Sequence, residues 1–94
     1  MAIVEDPEER EVVALMQVAP SIDGARVLEV GSGYGRLTAR YADHAKSVLA
    51  IDPDAEAIEE LAQDLPHVTA QAIGIEELSL APGSIDVVLF AWSL

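Results

Sequence analysis

The sequence predicts an α/β domain built on a parallel sheet, and three observations carry that expectation. Strand-like and helical segments alternate along the chain. The strand-like runs are apolar at successive positions, as strands covered on both faces are. A glycine-rich turn joins the first of these runs to the helical segment behind it. With 94 residues the chain makes one small domain, for which a single core is attainable but marginal.

The elements follow in order. Residues 7–18, "PEEREVVALMQV", open with Pro7 and acids, as a helix N-terminus prefers, and Val12, Leu15, Met16 and Ala19 recur at helical spacing. Glu8, Glu9 and Glu11 read as the solvated face of that helix. Pro20 and Asp23-Gly24 punctuate a turn, after which "RVLEV" (26–30) reads as the first strand. "GRLTARYADHA" (35–45) reads as a helix with Leu37 and Tyr41 facing the core. "SVLAI" (47–51) is the second strand. The next helix follows Asp52-Pro53-Asp54 and carries an apolar stripe of Ile58, Leu61, Ala62 and Leu65. Pro66 ends it. "HVTAQAI" (67–73) is the third strand, and "IDVVLFAW" (85–92) is the fourth, beyond the turn Pro82-Gly83-Ser84.

Composition narrows the function classes. The apolar fraction of 51% is that of a folded domain. Seventeen acidic residues against five basic ones give a formal charge of −12, which repels phosphate backbones and anionic lipid. Neither nucleic acid nor a membrane surface is therefore an expected partner. The absence of cysteine excludes disulfides and thiolate metal sites. No metal site is expected. No basic segment followed by an apolar core opens the chain, so a cytoplasmic protein is the default expectation. His44 and His67 read as surface residues, and Trp92 as a core, interface or substrate-wall residue.

The stretch "VLEVGSGYG" (27–35) buries one acid in an apolar strand and then places Gly31, Gly33 and Gly35 in quick succession. Glycines between a strand and a helix let a ligand approach the backbone where a Cβ would block it. The dinucleotide fingerprint is G-x-G-x-x-G, but here the third glycine is early and Arg36 stands where that pattern requires glycine. Glu29, two residues before the first glycine, suits a ligand amine and would repel a pyrophosphate.

These residues resemble motif I of the class I S-adenosylmethionine-dependent methyltransferases, an acid-x-G-x-G-x-G pattern that "VLEVGSGYGRLT" matches closely. The resemblance implies that Glu29 meets the amino end of the cofactor's methionine moiety, and that Gly31, Ser32, Gly33 and Gly35 pass beneath the cofactor. "SVLAIDPD" resembles the family's second strand, whose terminal acid binds both ribose hydroxyls; that acid is Asp52, with Pro53 against the adenine. Asp52 also reads as an N-cap for the helix opened by Pro53. The family's glycine-aspartate before the acidic turn is Ile73-Gly74 here, so the adenine contact falls to the backbone near Ile75 or to Glu76.

The resemblance further implies a Rossmann-like half-domain. The family's sheet runs 3-2-1-4-5-7-6, and this chain supplies four strands in the order 3-2-1-4, with helices mainly on one face. Residues 1–94 are thus expected to be a truncated cofactor-binding domain, and its S-adenosylmethionine to serve an unidentified small-molecule acceptor. Ala91, Trp92 and Ser93 stand where an acceptor wall begins. Binding without efficient turnover is expected. A non-catalytic Rossmann-like assembly module is the alternative, and a fragment of a nicotinamide-dinucleotide oxidoreductase a further one. A homodimer is also expected, on two grounds: the link 73–84 is too short for a covering helix, and the fourth strand is left as a bare edge.

Overall fold

The computed structural model describes the backbone of Ala2–Glu5 and residues 22–91. In chain order these form β1 (Ala2–Glu5), β2 (Arg26–Val30), α1 (Thr38–Tyr41), β3 (Ser47–Ile51), α2 (Ala55–Asp64), β4 (Thr69–Gln71), a 3-10 turn at Ile75–Glu77, and β5 (Val87–Phe90). Every pairing is parallel, and the order across the sheet is β4-β3-β2-β5-β1. The four strands read from the sequence are β2 to β5, and their 3-2-1-4 order is the one found.

Alternation along the central strands divides the core into two layers. Val27 on β2, Val48 and Ala50 on β3, and Val87 and Leu89 on β5 face Leu37, Tyr41 and Leu61 from the helical side. Leu28, Ile51 and Val88 face the opposite way, packed by Val30, Leu49, Ile73, Leu78, Ile85 and Phe90. Both α1 and α2 therefore lie on one face, as a succession of right-handed crossovers in one direction requires. Each large aliphatic side chain buried in these layers contributes about 1.5–3 kcal/mol.

Three elements are shorter than their sequence patterns. The helix expected over 35–45 is α1, a single turn, because the chain tightens after it: the His44 amide reaches the Tyr41 carbonyl at 2.8 Å and the Ala45 amide the Ala42 carbonyl at 3.3 Å. The third strand shrinks to three residues, since the Val68 amide closes a turn on the Leu65 carbonyl (3.0 Å). The fourth is Val87–Phe90, although the Ala91 amide still bonds the Val30 carbonyl at 2.9 Å. On α2 the buried residues are Ala57, Ile58 and Leu61; Ala62 is exposed and Leu65 only partly covered.

Both structural grounds for self-association are altered. The edge of β5 is not bare: β1 pairs along it in register, Ala2 with Val87 through Glu5 with Phe90. The second face is not naked either, because Ile73, Leu78 and Ile85 from the link pack onto it. The expected N-terminal helix, with Val12, Leu15, Met16 and Ala19, lies outside the described residues, as do Trp92 and Ser93. At the opposite end of the strands from the glycine turn, Arg26 and Asp86 tie β2 to β5. The Arg26 Nε donates to Asp86 Oδ2 at 2.9 Å and a terminal guanidinium nitrogen to Oδ1 at 2.8 Å. These bonds hold the Asp86 carboxyl well below the usual carboxylate range.

Candidate functional site

The loop after β2 is shaped by its glycines. Gly33 and Gly35 adopt φ of +56° and +91°, a region that side chains rarely enter. The two serve different ends. A Cβ on Gly33 would meet nothing within 4 Å, so its exposed side is open to a ligand. A Cβ on Gly35 would lie 3.0 Å from Leu61 Cγ and 3.1 Å from its Cδ1, so this glycine lets the loop press against α2. The loop is further held by the amides of Gly31 and Ser32, which donate to the Ile51 carbonyl at 2.9 and 3.2 Å.

Asp52 completes the loop's outer support. Its Oδ2 accepts the Gly33 amide at 2.9 Å, and its Oδ1 accepts the Asp54 amide at 2.9 Å. The cap of α2 is Asp54, whose Oδ1 accepts the amides of Glu56 (3.1 Å) and Ala57 (3.2 Å). The capping role read for Asp52 thus belongs to Asp54. The helix begins two residues later than Pro53 suggests, and Asp52 is left facing the glycine loop.

A cleft of two lobes opens at the C-terminal ends of β2, β3 and β5, where the connection out of β2 runs over the helical face and the one into its neighbour β5 over the other. The larger lobe, about 450 Å³, has Gly31, Ser32 and Gly33 as its floor, with Tyr34, Arg36, Leu37 and Ala91 around it. The smaller, about 330 Å³, is bounded by Pro53 and Ile51 on one side and by Ile73, Gly74, Ile75 and Glu76 on the other. Gly31 and Asp52 belong to both. A carboxylate between an apolar lobe and a glycine-floored lobe can accept hydrogen bonds from hydroxyls, while flat apolar and polar groups lie to either side.

The structure brings Gly31, Ser32, Gly33, Asp52, Pro53, Ile75 and Glu76 to this cleft, and sets Gly35 behind it against α2. Glu29 is also elsewhere. It is fully buried on the helical side of β2, where Thr38 Oγ1 donates to its Oε1 at 2.8 Å and the Tyr41 hydroxyl donates to the same oxygen at 2.6 Å. Burial and then the Glu29 charge push the Tyr41 phenol far up from its ordinary value, so it remains a donor. Near Gly74, the Glu77 Oε1 accepts the Gly74 amide at 3.1 Å, leaving Glu76 on the lobe wall. The sequence pattern alone does not mark Tyr34, Arg36 and Leu37 as site residues. Their signal was their position inside the motif, where Tyr34, flanked by two glycines, remains half-exposed. Among the described residues no group of three His, Asp or Glu side chains comes together as a metal site, and no helix is long and apolar enough to cross a membrane.

A family model described as a methyltransferase domain matches residues 27–94, which include the glycine loop, Asp52 and both lobes. The chain belongs to the class I S-adenosylmethionine-dependent methyltransferases. An uncharacterised methyltransferase of Mycobacterium bovis is 39% identical over 66 residues, covering 70% of this chain and 27% of its own length. Phosphoethanolamine N-methyltransferase 1 of Triticum aestivum is 36% identical over 96 residues, covering 95% of this chain and 19% of its own. The solved phosphoethanolamine N-methyltransferase 1 of Haemonchus contortus, in complex with phosphoethanolamine and S-adenosylhomocysteine, shares the fold. It has a TM-score of 0.78 at 24% identity, over 93% of this chain and 19% of that one. The methyltransferase chain thus spans about a quarter or less of the lengths of these relatives.

Proposed function

We propose that this chain is the cofactor-binding part of a methyltransferase, and that it holds S-adenosylmethionine across the two lobes with Asp52 at the ribose. The observation that carries this reading is the sharing of Asp52 and Gly31 by both lobes. One carboxylate then meets the ribose hydroxyls while the two ends of the cofactor lie on opposite sides of it. The adenine enters the smaller lobe, against Pro53 and Ile73, with Glu76 and the backbone at Ile75 supplying its polar contacts. The methionine end lies over Gly31, Ser32 and Gly33 in the larger lobe. Glu29 contributes to that lobe from behind the loop. When bound, the cofactor supplies an electrophilic methyl group on a sulfonium; the protein's part is to align it with an acceptor.

The acceptor is a small molecule in this reading, in keeping with two relatives named for phosphoethanolamine. Ala91, at the mouth of the larger lobe, marks the side from which it comes. The protein acts in the cytoplasm. In this reading the 94-residue chain by itself binds cofactor without efficient turnover. Calorimetric titration tests the reading: S-adenosylmethionine and S-adenosylhomocysteine bind, and NAD does not. Tight NAD binding, or none of the three, would refute it. We further infer a homodimer that uses the face where Val30, Leu49, Ile73 and Phe90 are only partly covered. Sedimentation of a homodimer supports that use, and a 10 kDa monomer at high concentration removes it.

A further inference from the structure

We propose that Glu29, Thr38 and Tyr41 form a buried clasp that positions the glycine loop for the cofactor. The inference rests on the reading of the cleft as an S-adenosylmethionine site. It gives Glu29 a role beside the contact with the cofactor's amino end, often through water, that the family resemblance implies.

The argument begins with placement. Glu29 stands two residues before Gly31 and lies opposite Ala50 on β3 and Leu89 on β5. It shares the helical side of β2 with Val27 and is not among the residues that line either lobe. A carboxylate taken wholly from water requires strong compensation. At the Oε1 atom two hydroxyls of one short element supply it. Thr38 is the first residue of α1 and Tyr41 its last, and the two hydroxyls, three positions apart on one helical face, converge on the single atom Oε1. Both side chains are themselves buried, at 0% and 1% exposure.

The clasp matters because α1 has only one turn. A helix that short has too few backbone bonds to hold itself, and its stability must come from side chains. Glu29 and Thr38 are the two sides of the loop 31–37, so their bond closes the loop at its base. Asp52 holds the same loop from outside through the Gly33 amide. Glu29 within and Asp52 without therefore fix the backbone that floors the larger lobe. Loss of the inner clasp frees the loop to move while the sheet beneath it keeps its pairing.

A ligand that needs the loop in place must then order it on binding. The entropy of fixing a single backbone residue corresponds to about a tenfold loss of affinity. The test uses Thr38→Val, which keeps the shape and removes the donor, Tyr41→Phe, which removes the other donor, and Thr38→Ser, which restores a hydroxyl. S-adenosylhomocysteine affinity is measured by calorimetry, and amide hydrogen exchange is followed over residues 31–37 in the unliganded chain. Thr38→Val and Tyr41→Phe are expected to bind about tenfold more weakly and to exchange faster in the loop, with β2 and β3 unchanged. Thr38→Ser is expected to match the original chain in both.

A purely structural role would lower global stability without moving the affinity of the folded protein. Unchanged affinity in both Thr38→Val and Tyr41→Phe, or a Thr38→Ser chain as weak as Thr38→Val, would overturn the proposal. If the original chain binds no S-adenosylhomocysteine, the cofactor reading fails first. The clasp is then decided by exchange alone, and unchanged loop exchange in Thr38→Val would overturn it.

Discussion

Gly35→Ala should be far more damaging than Gly33→Ala, although both substitutions add one methyl group to the same loop. Both glycines have positive φ, so each alanine carries a backbone penalty of about 1–2 kcal/mol. At Gly33 that is the whole cost, since the new Cβ meets nothing within 4 Å. At Gly35 the Cβ arrives 3.0 Å from Leu61 Cγ and 3.4 Å from Leu65 Cδ1. Leu61 is fully buried and cannot withdraw, so overpacking adds about 1–3 kcal/mol. The total for Gly35→Ala is about 2–5 kcal/mol, against about 5–15 kcal/mol available to an ordinary domain. For a domain of this size each kcal/mol lowers the melting temperature by roughly 4–8 °C. Urea unfolding of the two variants, followed by circular dichroism, measures the difference directly. Equal losses in the two, within about 0.5 kcal/mol, would show that α2 does not press on the loop and would refute the reasoning.

Three further outcomes follow from the same geometry. Asp52→Ala removes an acceptor from the proposed ribose site and releases the Gly33 amide; with charge-assisted bonds worth about 1.5–3 kcal/mol each, calorimetry should show at least a tenfold loss of S-adenosylhomocysteine affinity. Asp86 has a folded-state pKa held below its unfolded value, first by the hydrogen bonds from Arg26, so its contribution to stability is present above about pH 4 and fades as the pH falls. Asp86→Asn should therefore flatten the acid limb of a stability-versus-pH curve, and an unchanged limb would count against the pair. Tyr41 is shifted the opposite way, upward, by burial and then by Glu29, so its contribution is complete below about pH 10 and is lost as the pH rises beyond it. Alkaline unfolding monitored by fluorescence should show a shallower pH dependence in Tyr41→Phe.

The legible parts of this molecule are those whose residues answer to local rules. β2 and β3 match their sequence patterns residue for residue, because five apolar or alternating positions bounded by a turn admit little else. Asp52 and the glycine loop were legible as a pair, since an acid beyond a second strand and glycines beyond the first meet wherever the two strands are parallel neighbours. Glu29 was legible as a buried acid but not in its partner. The alternation of β2 already places it with Val27 on the helical side. What the pattern concealed was that Thr38 and Tyr41 would be close enough to bond its Oε1 there.

The edge of the sheet was illegible for a different reason. "AIVE" at residues 2–5 has one charge and no turn residue, and nothing in so short a run says where it pairs. Its place is set by a need elsewhere. β5 pairs with β2 along one side, and on the other it would present unpaired amides and carbonyls from Val87 to Phe90. In the family's order that side receives the next strand of the domain. Here the N-terminal strand takes it, parallel and in register over four residue pairs. The same logic explains the second face. The link 73–84 has no α-helix, yet a 3-10 turn and two flanking extended pieces suffice to lay Ile73 and Leu78 over Leu28, Ile51 and Val88, with Ile85 beside them. A sheet that must be covered recruits whatever chain is within reach, and that recruitment is a property of the assembled fold. Local sequence therefore announces the strands that need cover far more clearly than the segments that provide it.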